Sequence, residues 1–278
     1  MQEFYLKEHL SIPGISSASG IEFSEGQIFI ISDNSNYLYN YQIYNEELNR
    51  QVLLKRPQMD HIEKPQKLDL EAMVLYDDKI YTFGSGSTKA REKGFSISKN
   101  DGQIIELNLK NLYSGMKNSA NINSSDFNIE GVAVYENSWL FLNRGNGPGG
   151  RNVILKVDGD DLVNDFIVSS FEISLPEVDG SFFGFSGGCV LNDSLYFIAT
   201  AEEGLSTYDD GVIAGTILGV LNLKTMEINY YQRISKDQKF EGISLLEIQP
   251  QKISFILCED SDGSSEVTTI YRLDLKLS

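Results

Sequence analysis

Residues Glu130–Asn146 read EGVAVYENSWLFLNRGN, and this stretch decides the fold because versions of it occur five times. The order is Glu or Ser, a small residue, an apolar run, a short polar turn, a second apolar run and a polar loop. The other copies begin at Ser19, Glu71, Ser186 and Glu241, so successive copies start 52, 59, 56 and 55 residues apart. A regular period of this length indicates a repeat architecture.

Each copy predicts a small antiparallel sheet. Its apolar runs are rich in β-branched and aromatic residues, and polar turns such as Asp77-Asp78 separate the first two runs, as in hairpins. Further strand-like runs follow in each copy, and no segment of helical length shows a period of 3.6 residues. Four strands in every repeat are typical of a β-propeller.

The two ends of the chain predict how the ring closes. After Glu241 only three strand-like runs remain, and a spare run, Glu3–Ile12, precedes the first copy. That run would complete the last blade and remove an open sheet edge. We therefore predict an all-β, five-bladed β-propeller with four antiparallel strands per blade, as one domain over residues 1–278. A six-bladed ring is the alternative and would need a degenerate sixth copy, whereas a two-domain β-sandwich would not explain the repeat.

The composition limits the partners of the protein. The formal net charge of −17 repels nucleic acids and anionic membrane surfaces, so we expect binding to neither. No apolar run approaches the length of a membrane-spanning helix, and the start, MQEFYLKEHLSIPG, lacks the basic and apolar regions of a signal peptide. We expect a monomer that binds a small polar ligand and is cytoplasmic, with a secreted mature form as the open alternative.

Alignment of the copies predicts where a site lies. The first strand of a propeller blade lines the central channel, so the first residue of each copy should ring one mouth of it. The polar loops after the second strands should lie at the same mouth. From these loops and from two longer rim loops we predict the following substrate-binding residues: Asp33, Asn34, Lys89, Arg91, Asn143, Glu202, Tyr208 and Asp209.

Three of the ring residues are glutamates, which repel one another unless their charge is balanced. A divalent metal would balance it, and an oxygen-rich, histidine-poor set favours Ca²⁺ or Mg²⁺, with no organic cofactor. The predicted metal ligands are Glu71, Glu130, Glu241, Glu259 and Asp260. Two other arrangements remain open. In one, Arg144, Lys89 and Arg91 neutralise the glutamates; in the other, the glutamates accept backbone N–H bonds from neighbouring blades and only fix the ring.

Several phrases carry a resemblance to known propellers. The Glu-Gly-apolar phrases at Glu130 and Glu241 resemble those of phytase-like propellers and of the gluconolactonase group. ISDNSNYLY at 31–39, FGSGSTKARE at 83–92, LNRGNG at 142–147, STYDDG at 206–211 and KFEGI at 239–243 are similar to a bacterial propeller family of unknown function. This second likeness covers nearly the whole chain, and it implies the fold and no activity. The gluconolactonase likeness implies one divalent metal on Glu, Asn and Asp, for which Glu71 or Glu130, Asn143 and Asp260 are the matching residues.

Two functions fit these observations. In the first, the channel mouth hydrolyses a small ester, lactone or phosphoester with the help of a metal. Glu130 and Arg144 are then the catalytic residues, and Arg144 stabilises developing negative charge. In the second, the protein is a non-catalytic propeller whose rim loops hold a ligand or a partner protein.

Overall fold

Five four-stranded antiparallel sheets make up the computed structural model, which describes residues 3–147, 149–203, 212–260 and 265–276. The innermost strand of each sheet contacts the innermost strands of two other sheets, so the sheets form a closed ring. The prediction of a five-bladed β-propeller is therefore confirmed. In the part of the chain that the structure describes, no sixth blade is present.

The strands follow the chain from the channel outward in each blade. Strand β1 (Phe4–Pro13) belongs to the last blade. Blade 1 consists of β2 (Ala18–Ser24), β3 (Gln27–Ser32), β4 (Tyr37–Gln42) and β5 (Glu47–Val52). Blade 2 consists of β6 (Leu70–Tyr76), β7 (Lys79–Gly84), β8 (Lys93–Ser98) and β9 (Ile104–Asn108). Blade 3 consists of β10 (Ile129–Tyr135), β11 (Ser138–Asn143), β12 (Val153–Asp161) and β13 (Asp165–Glu172).

The last two blades have the longest strands. Blade 4 consists of β14 (Gly184–Leu191), β15 (Ser194–Glu203), β16 (Val212–Asn222) and β17 (Glu227–Ser235). Blade 5 consists of β18 (Phe240–Gln249), β19 (Lys252–Glu259), β20 (Val267–Lys276) and, outermost, β1. Strand β1 pairs with β20 from Phe4 opposite Leu275 to Pro13 opposite Val267. The predicted closure of the ring by the N-terminal strand is thus confirmed.

The core consists of five apolar clusters, one between each pair of neighbouring blades. Strand β3 shows why the inner strands are apolar without interruption. Ile28 and Ile30 pack into the cluster between blades 5 and 1, whereas Phe29 and Ile31 pack into the cluster between blades 1 and 2. Because both faces of an inner strand are buried, alternation of polar and apolar residues disappears there.

The expectation that the chain contains no helix is wrong at one place. Helix α1 (Lys110–Ala120) connects blades 2 and 3, and it buries Leu112, Tyr113, Met116 and Ala120 against the cluster between these blades. Those four positions lie on one helical face, but the helix spans only three turns, and the polar residues around them hide its period. Two 3-10 helices lie at Lys64–Gln66 and Lys89–Arg91. None of the helices in the described ranges combines the length and the hydropathy of a membrane span.

A buried carboxyl group joins blade 1 to blade 5. The Ser244 hydroxyl of β18 donates to Glu22 Oε2 of β2 at 2.8 Å and accepts a bond from the Phe23 amide at 3.0 Å. Burial raises the pKa of Glu22 to about 7, although hydrogen bonds from Ser244 and from the Leu75 backbone act in the opposite direction. The folded protein therefore holds a proton here that the unfolded chain has already released.

This proton gives the stability of the protein a specific pH dependence. Since the ordinary pKa of Glu22 is 4.5, the free energy of unfolding should fall as pH rises from there to about 7, by about 3 kcal/mol. Glu22→Gln should remove this fall, so that the variant is the more stable protein at pH 8. Urea unfolding between pH 5 and pH 8 measures the difference. Glu25→Gln is the matched control, because the Glu25 side chain is 81% exposed and pairs only with Lys99. Equal pH profiles for wild type and Glu22→Gln would contradict the prediction.

Candidate functional site

Every innermost strand contains a β-bulge at the first residue of the repeated phrase. In β2 the pairing with β3 shifts register between Ala18 and Gly20, and the same shift occurs in β6, β10, β14 and β18. The extra residues are Ser19, Glu71, Glu130, Ser186 and Glu241. A bulge changes the direction of one side chain without disturbing the rest of the strand. It therefore gives the first residue of each copy an equivalent place beside the channel, and at three of these places a glutamate lines the cavity.

The channel itself is narrow. Glu71, Glu130 and Glu241 line it together with the small residue that follows each bulge. Small residues are required because the strands approach closely: a Cβ on Gly242 would lie 2.8 Å from the Ile21 nitrogen. The cavity volume is about 10 Å³, which is room for about one water molecule. The channel between the inner strands therefore has no room for a molecule larger than water.

The two serines of the ring connect blades. Ser19 Oγ donates to the Leu70 carbonyl of blade 2 at 2.5 Å, and Ser186 Oγ donates to the Phe240 carbonyl of blade 5 at 2.8 Å. Both serines are fully buried. In each case the acceptor is the residue just before the phrase in the next blade. The serine copies of the phrase thus have a structural role, and the three glutamate copies supply the polar surface of the channel.

A second set of polar residues lies just outside the ring. In four blades, the backbone amide of the residue that follows the second strand donates a hydrogen bond. Its acceptor is the carbonyl of the residue two positions before the repeated phrase. The four donor and acceptor pairs are Asp33 to Ser17, Ser85 to Asp69, Arg144 to Asn128, and Asp260 to Lys239. Sequence reasoning missed Asp69 and Lys239. Extending the alignment of the copies by two residues toward the N-terminus would have identified both.

Three carboxylates converge where blades 1 and 2 meet. One oxygen each of Asp33, Asp69 and Glu71 lies within 4.8 Å of the others. Lys67 Nζ lies 2.5 Å from Asp33 Oδ2. Asp69 Oδ2 accepts bonds from Ser85 Oγ at 2.5 Å and from the buried Arg91 guanidinium at 2.6 Å. Asp33 and Asp69 therefore each have a cationic partner within the protein.

Glu71 is in a different position. Burial raises its pKa well above the ordinary value, and the carboxylates of Glu130, Asp69, Glu241 and Asp33 raise it further. Burial also raises the pKa of Asp33 to about 6, against the opposing effect of Lys67, and it raises the pKa of Asp69 against the effect of Arg91. All three groups would gain from one more positive charge among them.

Blades 3 and 5 provide the opposite side of the mouth, where two cations lie among the carboxylates. Arg144 Nη1 lies 3.5 Å from Glu130 Oε2 and 3.8 Å from Glu241 Oε1. Lys239 Nζ lies 3.0 Å from both Glu241 Oε1 and Asp260 Oδ2. Blade 4 makes room for Arg144, because a Cβ on Gly184 would lie 2.6 Å from its Cγ.

The structure thus places the predicted metal ligands in different groups of side chains. Glu71 belongs to the three-carboxylate group, whereas Glu130, Glu241 and Asp260 lie beside Arg144 and Lys239. For these three, cations lie beside the carboxylates, as in the arrangement of neutralising side chains considered from the sequence. Only Arg144 of the three predicted cations is among them, because Arg91 pairs with Asp69, Lys89 lies in an outer groove and Lys239 takes their place. Burial still raises the pKa of Glu241 well above its ordinary value, against the effect of Lys239. Glu259 is not brought to the group, since its carboxylate accepts a bond from the Tyr271 hydroxyl at 3.0 Å.

The predicted substrate-binding residues also lie in different parts of the molecule. Asp33 and Arg91 lie in or beside the three-carboxylate group. Asn34 and Asn143 are buried and connect their loops to neighbouring segments: Asn34 contacts Ser16, Ser17 and Ser32, and Asn143 contacts four backbone groups. Lys89 lies in an outer groove with Lys93 and Lys110. The side chain of Glu202 and the whole of Tyr208 and Asp209 lie outside the described residues.

The three-carboxylate group fits a divalent cation. Ca²⁺ binds oxygen at 2.3–2.6 Å, so two of its ligand atoms lie at most about 5 Å apart, and the three oxygens, all within 4.8 Å of one another, satisfy that limit. Asp33 Oδ1 is buried and has no hydrogen-bond partner. An oxygen in this state is suited to coordinate an ion. The residues present therefore match the oxygen chemistry of Ca²⁺ or Mg²⁺.

Comparisons with known proteins agree with the architecture. A family model described as a family of unknown function (DUF6929) matches residues 14–275. The solved structure of the major allergen Mala s 1 from Malassezia sympodialis is 9% identical, with a TM-score of 0.56 and coverage of 96% of each chain. A luciferin-regenerating enzyme is 8% identical, with a TM-score of 0.51 and coverage of 98% of this chain and 95% of that one.

A third structure, a putative gluconolactonase, is 9% identical with a TM-score of 0.47, and the match covers 94% of this chain and 76% of that one. No curated protein sequence matches the chain. At these identities the first two structures show a shared fold alone, and the third supports no argument.

Proposed function

The chain belongs to the DUF6929 family, which has no assigned activity, and we propose that its channel mouth binds a divalent cation and hydrolyses a small ester, lactone or phosphoester. The observation that carries this proposal is the convergence of Asp33, Asp69 and Glu71, whose oxygens lie within 4.8 Å of one another. Burial and like charges raise the pKa of Glu71 well above its ordinary value. A cation bound between these groups would relieve both effects.

Different residues of the chain would bind the cation and orient its ligands. Asp33, Asp69 and Glu71 would hold the cation, while Lys67 and Arg91 orient the first two carboxylates. A divalent cation at this place supplies Lewis-acid polarisation of a carbonyl or phosphoryl oxygen. Because the channel below has room for about one water molecule, the substrate would lie above the carboxylates, at the mouth.

Residues on the opposite side of the channel mouth would carry out the chemical step. Asn128 Nδ2 donates to Glu130 Oε1 at 2.6 Å, and Arg144 lies against Glu130 Oε2, so this carboxylate is held in one orientation. We assign Glu130 the role of general base, which accepts the proton of the attacking water. Arg144 would stabilise the negative charge that develops on the substrate oxygen.

Addition of calcium to protein treated with EDTA is the first test. A cation that binds only the folded protein raises its apparent free energy of unfolding by about 2.7 kcal/mol at 100 times the dissociation constant. Asp33→Asn should abolish this gain, since it removes one ligand charge without changing the shape of the side chain. Thermal melting with calcium against EDTA measures the gain. Glu259→Gln is the matched control, because that carboxylate binds Tyr271 instead, and it should keep the gain.

The outcomes separate the two candidate functions. Absence of any calcium effect on the wild type would refute the cation site. Where calcium does stabilise the protein, hydrolysis is assayed with p-nitrophenyl esters, γ- and δ-lactones and p-nitrophenyl phosphate, with and without calcium. Calcium-dependent turnover that Glu130→Gln abolishes supports the hydrolase. Calcium binding without turnover of any of these substrates would favour the non-catalytic, ligand-binding propeller.

A further inference from the structure

We propose that Tyr113 of helix α1 is a positioning residue for the cation site, because it fixes the loop at residues 84–87 that orients Asp69. This inference rests on the proposed function and deepens it by naming a residue, in a different element, on which cation affinity depends. Tyr113 lies outside the three-carboxylate group and would act on it only through this loop.

Tyr113 holds the loop through its hydroxyl group and its ring. The side chain is fully buried, and its hydroxyl donates to the Gly84 carbonyl at 2.5 Å. Its ring packs against Phe127 with the centroids 5.2 Å apart. Gly86 lies against both rings with φ +73°, and a Cβ there would be 2.6 Å from each. Only glycine fits this contact, so the path of the loop is set by the two aromatic rings.

The loop in turn fixes the Asp69 carboxylate. Ser85 makes two backbone bonds, from its amide to the Asp69 carbonyl at 2.8 Å and from the Ile129 amide to its own carbonyl at 2.9 Å. Its hydroxyl then donates to Asp69 Oδ2 at 2.5 Å. Ser87 Oγ accepts a bond from Arg91 at 2.8 Å, and the same guanidinium nitrogen donates to Asp69 Oδ2 at 2.6 Å. Both donors to Asp69 Oδ2 therefore depend on residues of the loop.

The position of α1 agrees with such a role. It is the one α-helix among residues 3–147, 149–203, 212–260 and 265–276, and it follows blade 2, which supplies Asp69 and Glu71. Groups that orient metal ligands without touching the metal typically change metal affinity by about 10- to 100-fold when they are removed. The hydroxyl of Tyr113 lies one step further away, so the lower end of this range is expected.

The test is Tyr113→Phe, which removes the hydroxyl and keeps the ring. We expect the dissociation constant for calcium, measured by isothermal titration calorimetry at 15 °C, to rise by about 10-fold. Ser119→Ala is the matched control, since it removes another bond of α1, from Ser119 Oγ to the Val168 carbonyl at 3.2 Å, far from the loop in the chain. Circular dichroism at 15 °C establishes that each variant is folded during the titration.

The results distinguish this inference from the proposed function. Tyr113→Phe binding within twofold of the wild type, or an equal loss in Ser119→Ala, would overturn the positioning role and leave the cation site intact. If the wild type binds no calcium, the proposed function fails. The role of Tyr113 in fixing the loop is then judged by exchange of the Ser85 amide with deuterium. Faster exchange in Tyr113→Phe than in Ser119→Ala would support it, and equal exchange would overturn it.

Discussion

Glu71→Gln is expected to weaken calcium binding by at least about 100-fold at pH 8, because it removes one of three ligand charges from the site. Glutamine keeps the size and the shape of the side chain. It also removes the charge that the neighbouring carboxylates of Glu130, Asp69, Glu241 and Asp33 oppose. The variant should therefore fold at least as well as the wild type without calcium. Isothermal titration calorimetry measures the loss of affinity, and a dissociation constant within tenfold of the wild type would refute the assignment of Glu71 as a ligand.

The same variant should change how calcium binding depends on pH. In the folded protein the pKa of Glu71 is raised well above its ordinary value, so calcium has to displace a proton. One proton released per cation makes the affinity rise about tenfold for each pH unit below that pKa. The wild type should show this rise in addition to the protons released by Asp33 and Asp69, whose pKa values are also raised, and Glu71→Gln should lose the part that belongs to Glu71. Titrations in buffers with different enthalpies of ionisation count the protons released.

The pH dependence of the stability of the cation-free protein is an independent test of whether folding raises the pKa of Glu71. A carboxyl group whose pKa is raised by folding keeps its proton longer in the folded state, so stability falls as pH rises toward the folded pKa. Glu71→Gln should reduce this fall, and calcium should reverse it in the wild type alone. A pH profile that calcium alters equally in both proteins would contradict the role given to Glu71.

Deletion of the first thirteen residues, which contain β1, is expected to open the ring and to make the shortened chain associate with other copies. The deletion removes the partner of β20 along its whole length and the fully buried Ile12 between blades 5 and 1. The exposed edge of β20 would then pair with other chains. Gel filtration should show aggregates or domain-swapped oligomers, and circular dichroism should show a lower and broader melting transition.

Two further measurements make this prediction specific. A synthetic peptide of residues 1–13, added to the shortened protein, should restore the elution volume of the full-length chain, because the pairing needs no covalent connection. Glu3→Gln is the control for the loss of charge at this end, since it removes only the exposed ion pair with Lys276. Such pairs contribute about 1 kcal/mol or less. A shortened protein that keeps the oligomeric state and the melting temperature of the wild type would show that the ring stays closed without β1.

The fold could be predicted from the sequence because every repeat has the same local pattern of apolar runs and polar turns. Uninterrupted apolar runs such as Ile28–Ile31 and tight turns such as Asp77-Asp78 define the hairpins, and both turn residues adopt the positive φ that such turns require. The number of strands after Glu241 predicted the closure by β1. Helix α1 was missed because its buried residues are few and are surrounded by polar ones, so that tertiary packing, more than its own sequence, stabilises it.

The sequence also predicted at which height of the channel the site lies, but it did not predict which side chains pair with one another in the site. The repeat placed Glu71, Glu130 and Glu241 on one ring, as observed. Asp69 and Lys239 were missed, although they lie two residues before the phrase, and Lys67 gave no signal of its own. Which carboxylate meets which cation depends on side chains from different blades, and these are far apart in the chain.

By itself, the sequence determined the five blades, the closed ring and the level at which acidic side chains meet. These properties follow from local periodicity and from the equivalence of repeats. Only the tertiary structure decided that Ser19 and Ser186 join blades, that Arg144 and Lys239 lie among Glu130, Glu241 and Asp260, and that Glu71 meets Asp33 and Asp69. The physical reason is that charge balance acts across a few ångströms of buried space. The register of the blades around the channel, and not distance along the chain, sets these neighbours.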